Sequence, residues 1–256
     1  MENIWPVSLK VVTLLSGGKK ISSHKCLKIM KIKVTLMSDT HTKERNVLVS
    51  GGDLILHSGD VMNSGYDWED LYDFLTWFSE LPYKMKVFIP GNHDRYIEDK
   101  PFDAWKMIRD FNDKGVICLI DDFVEFEGLK IYGSPWQPEF YNWAYNLPRN
   151  GWELEQKWKD IPDDTDILLT HGPAWGILDT VVNRRDMNLG CEMLAKRLET
   201  LHPLIHNCGH IHTGYGYVEK NGTHFFNSSV LDERYNHSQK PFDITIDLET
   251  KQLDIL

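Results

Sequence analysis

The feature that most constrains this chain is a recurrence. Five apolar runs each end in a short polar stretch of Asp, Asn or His. Ile32–Met37 runs into Ser38-Asp39-Thr40-His41, and Asp53-Leu54-Ile55-Leu56-His57 ends at Ser58-Gly59-Asp60. Lys84–Ile89, ending in the apolar run Val87-Phe88-Ile89, is followed by Pro90-Gly91-Asn92-His93-Asp94. Asp166–Thr170 leads to His171-Gly172-Pro173, and Leu204–Cys208 to Gly209-His210-Ile211-His212. Alternating or continuous apolar residues over such lengths read as strands. A strand has no structural need to finish on an amide, an imidazole and a carboxylate. Pro90 fixes φ and Gly91 permits unusual φ, so the central pentapeptide turns sharply off its strand. Ligand sites of open α/β sheets lie at the carboxyl ends of strands, so the pattern calls for a fold that gathers several such ends.

The segments between are consistent with that fold. Residues 67–80 have helical spacing, with Trp68, Leu71, Tyr72, Leu75 and Phe78 expected on the core face and Pro82 marking the end. A second helix is expected over Phe102–Asn112, with Phe102, Trp105, Ile108 and Phe111 inward and Gly115 stopping it. From Val116 the texture changes to short strands. Phe123–Phe126 and Leu129–Tyr132 flank Glu127-Gly128, and Tyr215–Lys220 and Thr223–Asn227 flank Asn221-Gly222, both hairpin signals. A long aromatic loop spans Ser134–Asn150, long enough to suggest function rather than connection. Short helices are expected near Trp152–Trp158 and over residues 189–201, and Phe242–Leu248 alternates as a closing strand. The mixture fits an α/β architecture of two mixed sheets flanked by helices. Residues 31–256 form one domain in this reading, and residues 1–30 an N-terminal extension, poorly ordered and carrying no site.

Composition narrows the partners. A net charge of −10 argues against long nucleic acid held by phosphate contacts. An acidic chain can still act on phosphate esters, because bound cations invert the local field. Val11–Leu15 is too short for a membrane span or a secretory core. Cys26, Cys118, Cys191 and Cys208 form no CxxC pair, so they read as reduced thiols in a cytoplasmic protein.

Each polar stretch offers donors to a cation. Asp39 and His41 sit two apart at a strand end, and Asp60 follows a glycine that lets its carboxylate approach and bridge two ions. Asn92 brings an amide oxygen; His171, His210 and His212 bring imidazoles. One shared carboxylate among these seven donors fills two sites and leaves room for solvent. The mixed nitrogen and oxygen set suits manganese first, and iron, zinc or nickel as well.

In this order the fragments resemble the calcineurin-like metallophosphoesterase family, whose pattern is Asp-x-His, Gly-Asp, Gly-Asn-His-Asp/Glu, His and Gly-His-x-His. The likeness extends to Asp53–Asp60, Tyr132–Trp136, Asn146–Arg149 and His210–Gly216, which look like a metallophosphoesterase-domain-containing branch first noted in fetal brain. The resemblance covers about residues 31–248. It implies a four-layer α/β/β/α sandwich and a metal-dependent phosphodiesterase, with cyclic nucleotides or small nucleotide diesters as substrates. It also implies that Asp39, His41, Asp60 and His212 hold one ion and Asp60, Asn92, His171 and His210 the second. A hydroxide on such a pair attacks phosphorus in line with the leaving oxygen. His93, outside both sets, is the expected general acid, with Asp94 fixing its orientation and tautomer. Asn146 and Arg149 are candidate phosphate contacts, and Trp136, Trp143 or Tyr145 candidate stacking partners for a base. The alternatives are a phosphomonoesterase or phosphoprotein phosphatase on the same centre, and a non-catalytic scaffold of the same fold.

Overall fold

The alternation in the first strand already divides the molecule into layers. A computed structural model describes residues 31–181 and 187–256; the N-terminal extension expected over residues 1–30 lies outside them. In chain order the elements begin with β1 (Lys31–Met37), β2 (Gly52–His57), α1 (Trp68–Glu80), β3 (Tyr83–Phe88), α2 (Arg95–Asp99), α3 (Pro101–Arg109) and β4 (Val116–Cys118). There follow β5 (Asp122–Phe126), β6 (Leu129–Ser134), β7 (Gln137–Pro138), β8 (Asn146–Leu147), α4 (Trp152–Lys159), β9 (Ile167–Thr170), β10 (Thr180–Val181) and β11 (Met187–Asn188). The chain ends with α5 (Glu192–Leu201), β12 (Ile205–Cys208), β13 (Gly216–Lys220), β14 (Thr223–Asn227), β15 (Phe242–Asp247) and β16 (Leu253–Ile255).

One sheet has the order β16-β15-β1-β2-β3-β4 and the other β13-β14-β12-β9-β6-β5. In the first sheet β1, β2, β3 and β4 run parallel, with β15 and β16 paired antiparallel at the other edge. In the second β14, β12, β9 and β6 run parallel between antiparallel edge strands β13 and β5. Period-two side chains then build three apolar layers. Ile32, Val34, Leu36, Leu54, Leu56, Val87 and Ile89 meet Leu129, Ile131, Ile167, Leu169, Ile205 and Phe226 between the sheets. Their alternates Met37, Ile55 and Phe88 pack outward on Leu71, Phe74, Leu75 and Phe78 of α1. On the far side Tyr132, Leu168 and Phe225 pack on Leu154 and Trp158 of α4 and Leu194 and Leu198 of α5. This is the α/β/β/α sandwich. Each fully buried Leu, Ile or Phe contributes roughly 1.5–3 kcal/mol of transfer free energy to holding the layers together.

Two helical faces differ from expectation. In α1 the buried stripe is Leu71, Phe74, Leu75 and Phe78, at i, i+3, i+4 and i+7, joined by Trp77, while Trp68 and Tyr72 remain about half exposed. In and just after α3, Ile108 and Phe111 are buried as expected, but Phe102 is 77% exposed and Ala104 faces inward. Both exceptions lie in or next to a first helical turn, where apolar residues satisfy the period without reaching the sheet. Helix α2, directly after the central pentapeptide, and strand β16 had no clear sequence signal. Cys118, Cys191 and Cys208 are buried free thiols. Among the described residues no helix is long and apolar enough to cross a membrane.

Register brings the polar stretches to one edge. Met37 pairs with His57 and His57 with Phe88 in the first sheet. Ser134 pairs with Thr170, and Cys208 with Asn227, in the second. A parallel bridge, Ser38 to Ser229, ties the two sheets together at that edge.

Candidate metal centre

The strand-end loops reach the site through strained backbone. Asp39, His41, Asp60 and His210 all have positive φ, at 55°, 44°, 56° and 65°. Such residues are uncommon outside glycine; each costs of order 1–3 kcal/mol and persists only where its surroundings over-determine it. Here they do. Asp39 N–H donates to the Gly59 carbonyl at 2.9 Å and His41 N–H to the Asp60 carbonyl at 3.0 Å. The His210 amide donates to both Asp39 carboxylate oxygens at 3.0 Å. Two glycines are required by close approach. A Cβ on Gly91 would lie 2.6 Å from His171 Cε1 and nearer still to Asp60, and one on Gly209 would overlap the Asp39 carboxylate.

The structure brings all seven candidate donors together. His212 Nε2 lies 3.3 Å from Asp39 Oδ1, and His41 Nε2 lies 4.0 Å from the same oxygen and 3.6 Å from Asp60 Oδ2. The other Asp60 oxygen faces His171 Nε2 at 3.3 Å, and that nitrogen is 2.9 Å from Asn92 Oδ1. Ligand atoms converge in three overlapping groups: Asp39, His41 and His212; His41, Asp60 and His93; Asp60, His171 and His210. Asp60 thus stands between two donor sets, as its expected bridging position requires.

Three imidazoles are aimed by backbone carbonyls. Nδ1 of His41 faces Met62 O at 3.2 Å, Nδ1 of His171 faces Ser58 O at 2.9 Å, and Nδ1 of His212 faces Asp232 O at 2.9 Å. With Nδ1–H donating outward, each Nε2 is left for the interior, the arrangement that orients histidine ligands in metal sites. His41 Nε2 is buried and has no hydrogen-bond partner. An unmade bond of that kind costs about 1–3 kcal/mol, and a cation is the partner that fits it. The donor set is therefore suited to metal.

The charges agree with that fit. Burial opposes ionisation of Asp39 and Asp60, yet His212 beside the first and His171 beside the second hold both carboxyls below the usual range. Burial also opposes charge on His171 and His212, but Asp60 and Asp39 raise each to about 9. Burial lowers His41 to about 4 and His210 to about 3. Two protonated imidazoles thus balance two carboxylates, and divalent cations binding there must displace their Nε2 protons.

Several supporting groups escaped the sequence reading. Ser229 Oγ lies 2.8 Å from Asp39 Oδ2, and Asn227 Nδ2 donates to Ile211 O at 2.9 Å, holding the Gly209–His212 loop. The signal was present: β14 ends at Asn227 and runs into Ser228-Ser229, a sixth strand leading to polar residues. Met62 and Asp232 act through main-chain carbonyls, for which no side-chain signal exists. His57, by contrast, is where the sequence leads one to expect a satisfied histidine: beneath the site, fully buried, accepting from Gly59 N–H through Nδ1 at 3.2 Å and facing Thr40 Oγ1 through Nε2.

Other expectations need correction. Asp94 does not orient His93. Its carboxylate accepts the amides of Gly91 (2.6 Å), Asp60 (3.0 Å), Val61 (3.3 Å) and Met62 (2.8 Å), so it braces the loops that carry Asp60 and Asn92. His93 Nδ1 is paired with the Asn63 carbonyl, and its ring stacks on Trp143 with centroids 4.1 Å apart. Asn146 is engaged by the loop itself, donating to Phe140 O and Tyr141 O at 3.2 and 2.9 Å. Arg149 is held by Glu192 and the carbonyls of Leu189 and Gly190 at 2.8–2.9 Å. Neither is directed at a phosphate. Trp136 donates to Asp121 at 2.7 Å and Tyr145 is fully buried, so of the three proposed stacking residues only Trp143 lines the cavity beside His93.

Comparison with known proteins agrees with this geometry. The family model for calcineurin-like phosphoesterases matches residues 32–214. Metallophosphoesterase domain-containing protein 1 of Homo sapiens and that of Mus musculus are each 38% identical over 234 residues, 84% of this chain and 70% of theirs. A UPF0046 protein of Caenorhabditis elegans is 31% identical over 232 residues, 86% of this chain and 77% of its own length. Among solved structures, TT1561 of Thermus thermophilus superposes with a TM-score of 0.58 at 15% identity, covering 88% of this chain and 98% of that one. Another reaches 0.65 at 15% identity, covering 89% and 99%. At such identities the likeness is one of fold.

Proposed function

The chain belongs to the calcineurin-like phosphoesterase family, and on that footing we propose that it is a metal-dependent phosphodiesterase acting on cyclic nucleotides or small nucleotide diesters. In this reading Asp39, His41, Asp60 and His212 hold one divalent ion and Asp60, Asn92, His171 and His210 the other, manganese being the best-suited metal. When bound, the ions supply an activated water and offset charge on the phosphate oxygens. The observation that carries the reading is the placement of Asp60, with one oxygen toward His41 and the other toward His171.

The remaining residues act on the substrate's other side. His93, with Nδ1 paired to the Asn63 carbonyl, presents Nε2 as the edge that delivers a proton to the leaving oxygen. Asp94 supports this indirectly by fixing the loop. The preference for a diester is carried over from the family resemblance, and the neutral aromatic cavity beside His93 supports it by offering space for an ester group next to the donor cage. The proposed location is the cytoplasm. The test is turnover with manganese, with and without chelator, of 2′,3′- and 3′,5′-cyclic nucleotides, bis(4-nitrophenyl) phosphate and 4-nitrophenyl phosphate. Chelator-sensitive hydrolysis favouring the diesters is expected. A preference for the monoester, or insensitivity to chelator, would refute the proposal.

A further inference from the structure

His93 borders two spaces at once. One of its ring nitrogens belongs to the donor group with His41 and Asp60, and the residue also lines a cavity of about 630 Å³. That volume lies within the roughly 300–1,000 Å³ of small-molecule sites. The rest of the wall is aromatic and uncharged: Tyr66, Phe140, Tyr141, Trp143 and Tyr235, with Ser64 and Asn142 as its neutral polar members. Trp143 stacks on His93, and Tyr235 packs edge-on against His41 at 4.7 Å. Two cations stand behind the wall rather than in it. Arg95 lies over the Tyr66 ring and donates to the Asn142 carbonyl, while Lys43 donates to the Tyr235 carbonyl at 2.7 Å. Tyr235 itself has a positive φ of 60°, a strained conformation that Lys43 helps to hold.

From this arrangement we infer that, when the substrate is an acyclic nucleotide diester, the cavity binds its leaving group, that this group is planar, aromatic and uncharged, and that Trp143 and Tyr235 determine its selection. The inference rests on the phosphodiesterase reading above. With phosphorus at the donor cage, the ester group lying beyond His93 is the one whose oxygen His93 can reach. As the bond from phosphorus to that oxygen breaks, the electron pair stays on the oxygen, which takes the His93 proton. A water oxygen forms the new bond to phosphorus and its proton passes to solvent. The retained ester group points away from His93 and is not read by this wall.

The test uses methyl 4-nitrophenyl phosphate, whose leaving group is aromatic and whose retained group is only methyl. It also uses adenosine, an alcohol product without phosphate, whose binding is measured by calorimetry. Removing an aromatic stacking partner weakens binding by about ten-fold. Trp143→Ala and Tyr235→Leu are therefore expected to raise KM for methyl 4-nitrophenyl phosphate about ten-fold and to weaken adenosine binding equally. Trp143→Phe and Tyr235→Phe keep a stacking face and should stay within about two-fold. If the variants raise KM only for bis(4-nitrophenyl) phosphate, the cavity holds the retained group and the inference is overturned. A fall in kcat with KM and adenosine binding unchanged would also overturn it, leaving these side chains a purely structural role. Absence of chelator-sensitive hydrolysis by the wild type would remove the diesterase reading as well, so the two failures are distinct.

Discussion

A single methyl group placed at Gly91 probes the proposed bridge without replacing any ligand. Gly91 has ordinary φ, so alanine fits its backbone. Its Cβ would nevertheless lie 2.6 Å from His171 Cε1 and closer to the Asp60 carboxylate, where ordinary contact begins at 3.4 Å. Asp60 and His171 must therefore move by about 1 Å. Overpacking of this kind costs ~1–3 kcal/mol of stability, and a displacement of ~1 Å at reacting groups costs on the order of 100-fold in rate. Gly172→Ala is the control. It also adjoins a ligand and has ordinary φ, but its Cβ meets only Gln137, at 3.6 Å. Metal content after dialysis, melting temperature and hydrolysis of bis(4-nitrophenyl) phosphate should be measured for both. Gly91→Ala is expected to fold, to lose affinity for metal and to fall about 100-fold in activity, while Gly172→Ala stays within ~0.5 kcal/mol of wild type. If Gly91→Ala retained both ions and full activity, Asp60 and His171 would not hold metal in the arrangement described.

Three further outcomes follow from particular contacts. His93→Ala should depress turnover of a nucleotide diester, whose alkoxide needs a proton, far more than turnover of bis(4-nitrophenyl) phosphate; equal losses would remove His93 from the acid role. Ser229→Ala removes the hydroxyl 2.8 Å from Asp39. It should weaken metal binding about 10-fold without abolishing it, as read by chelator competition, since partners of ligands commonly matter at that scale. His206, buried on β12 with Nε2 facing Thr170 Oγ1 at 2.8 Å, is lowered by burial to about 3. Its unfolded value is near 6.5, so the unfolded chain takes up the proton first. Stability associated with His206 is thus present above about pH 6.5 and lost as pH falls toward about 3. Denaturant melts of wild type should lose ~1.4 kcal/mol per pH unit more than those of His206→Gln between about pH 6 and 4, and parallel curves would contradict this.

The fold was legible where side-chain period and burial coincide. Every strand that runs into a donor stretch appears within a residue or two of its expected bounds, because each buries at least one face. Helices α1, α3, α4 and α5 were located correctly and α2 was missed, and the faces of the located helices were harder to read. In α1, Trp68 and Tyr72 satisfy helical spacing as well as Phe74 does, and only the position of the sheet decides which are covered. Metal candidates were readable because each donor is a distinctive side chain at a strand end. Their supports were not, since Met62 O, Ser58 O and Asp232 O come from the main chain. Adjacency in sequence misled at Asp94: successive residues of a turn point in different directions, and its carboxylate faces four amides instead of the neighbouring imidazole. Asn146 and Arg149 lie on the loop as expected, but their hydrogen bonds are absorbed elsewhere. Arg149 is taken by partners about 40 residues away, and Asn146 by the loop's own carbonyls.

The most direct measurement is anomalous scattering from crystals of the manganese-loaded protein. Two peaks on either side of Asp60 are predicted, one against Asp39, His41 and His212 and the other against Asn92, His171 and His210. A single peak, or density held by other residues, would contradict the shared-carboxylate centre.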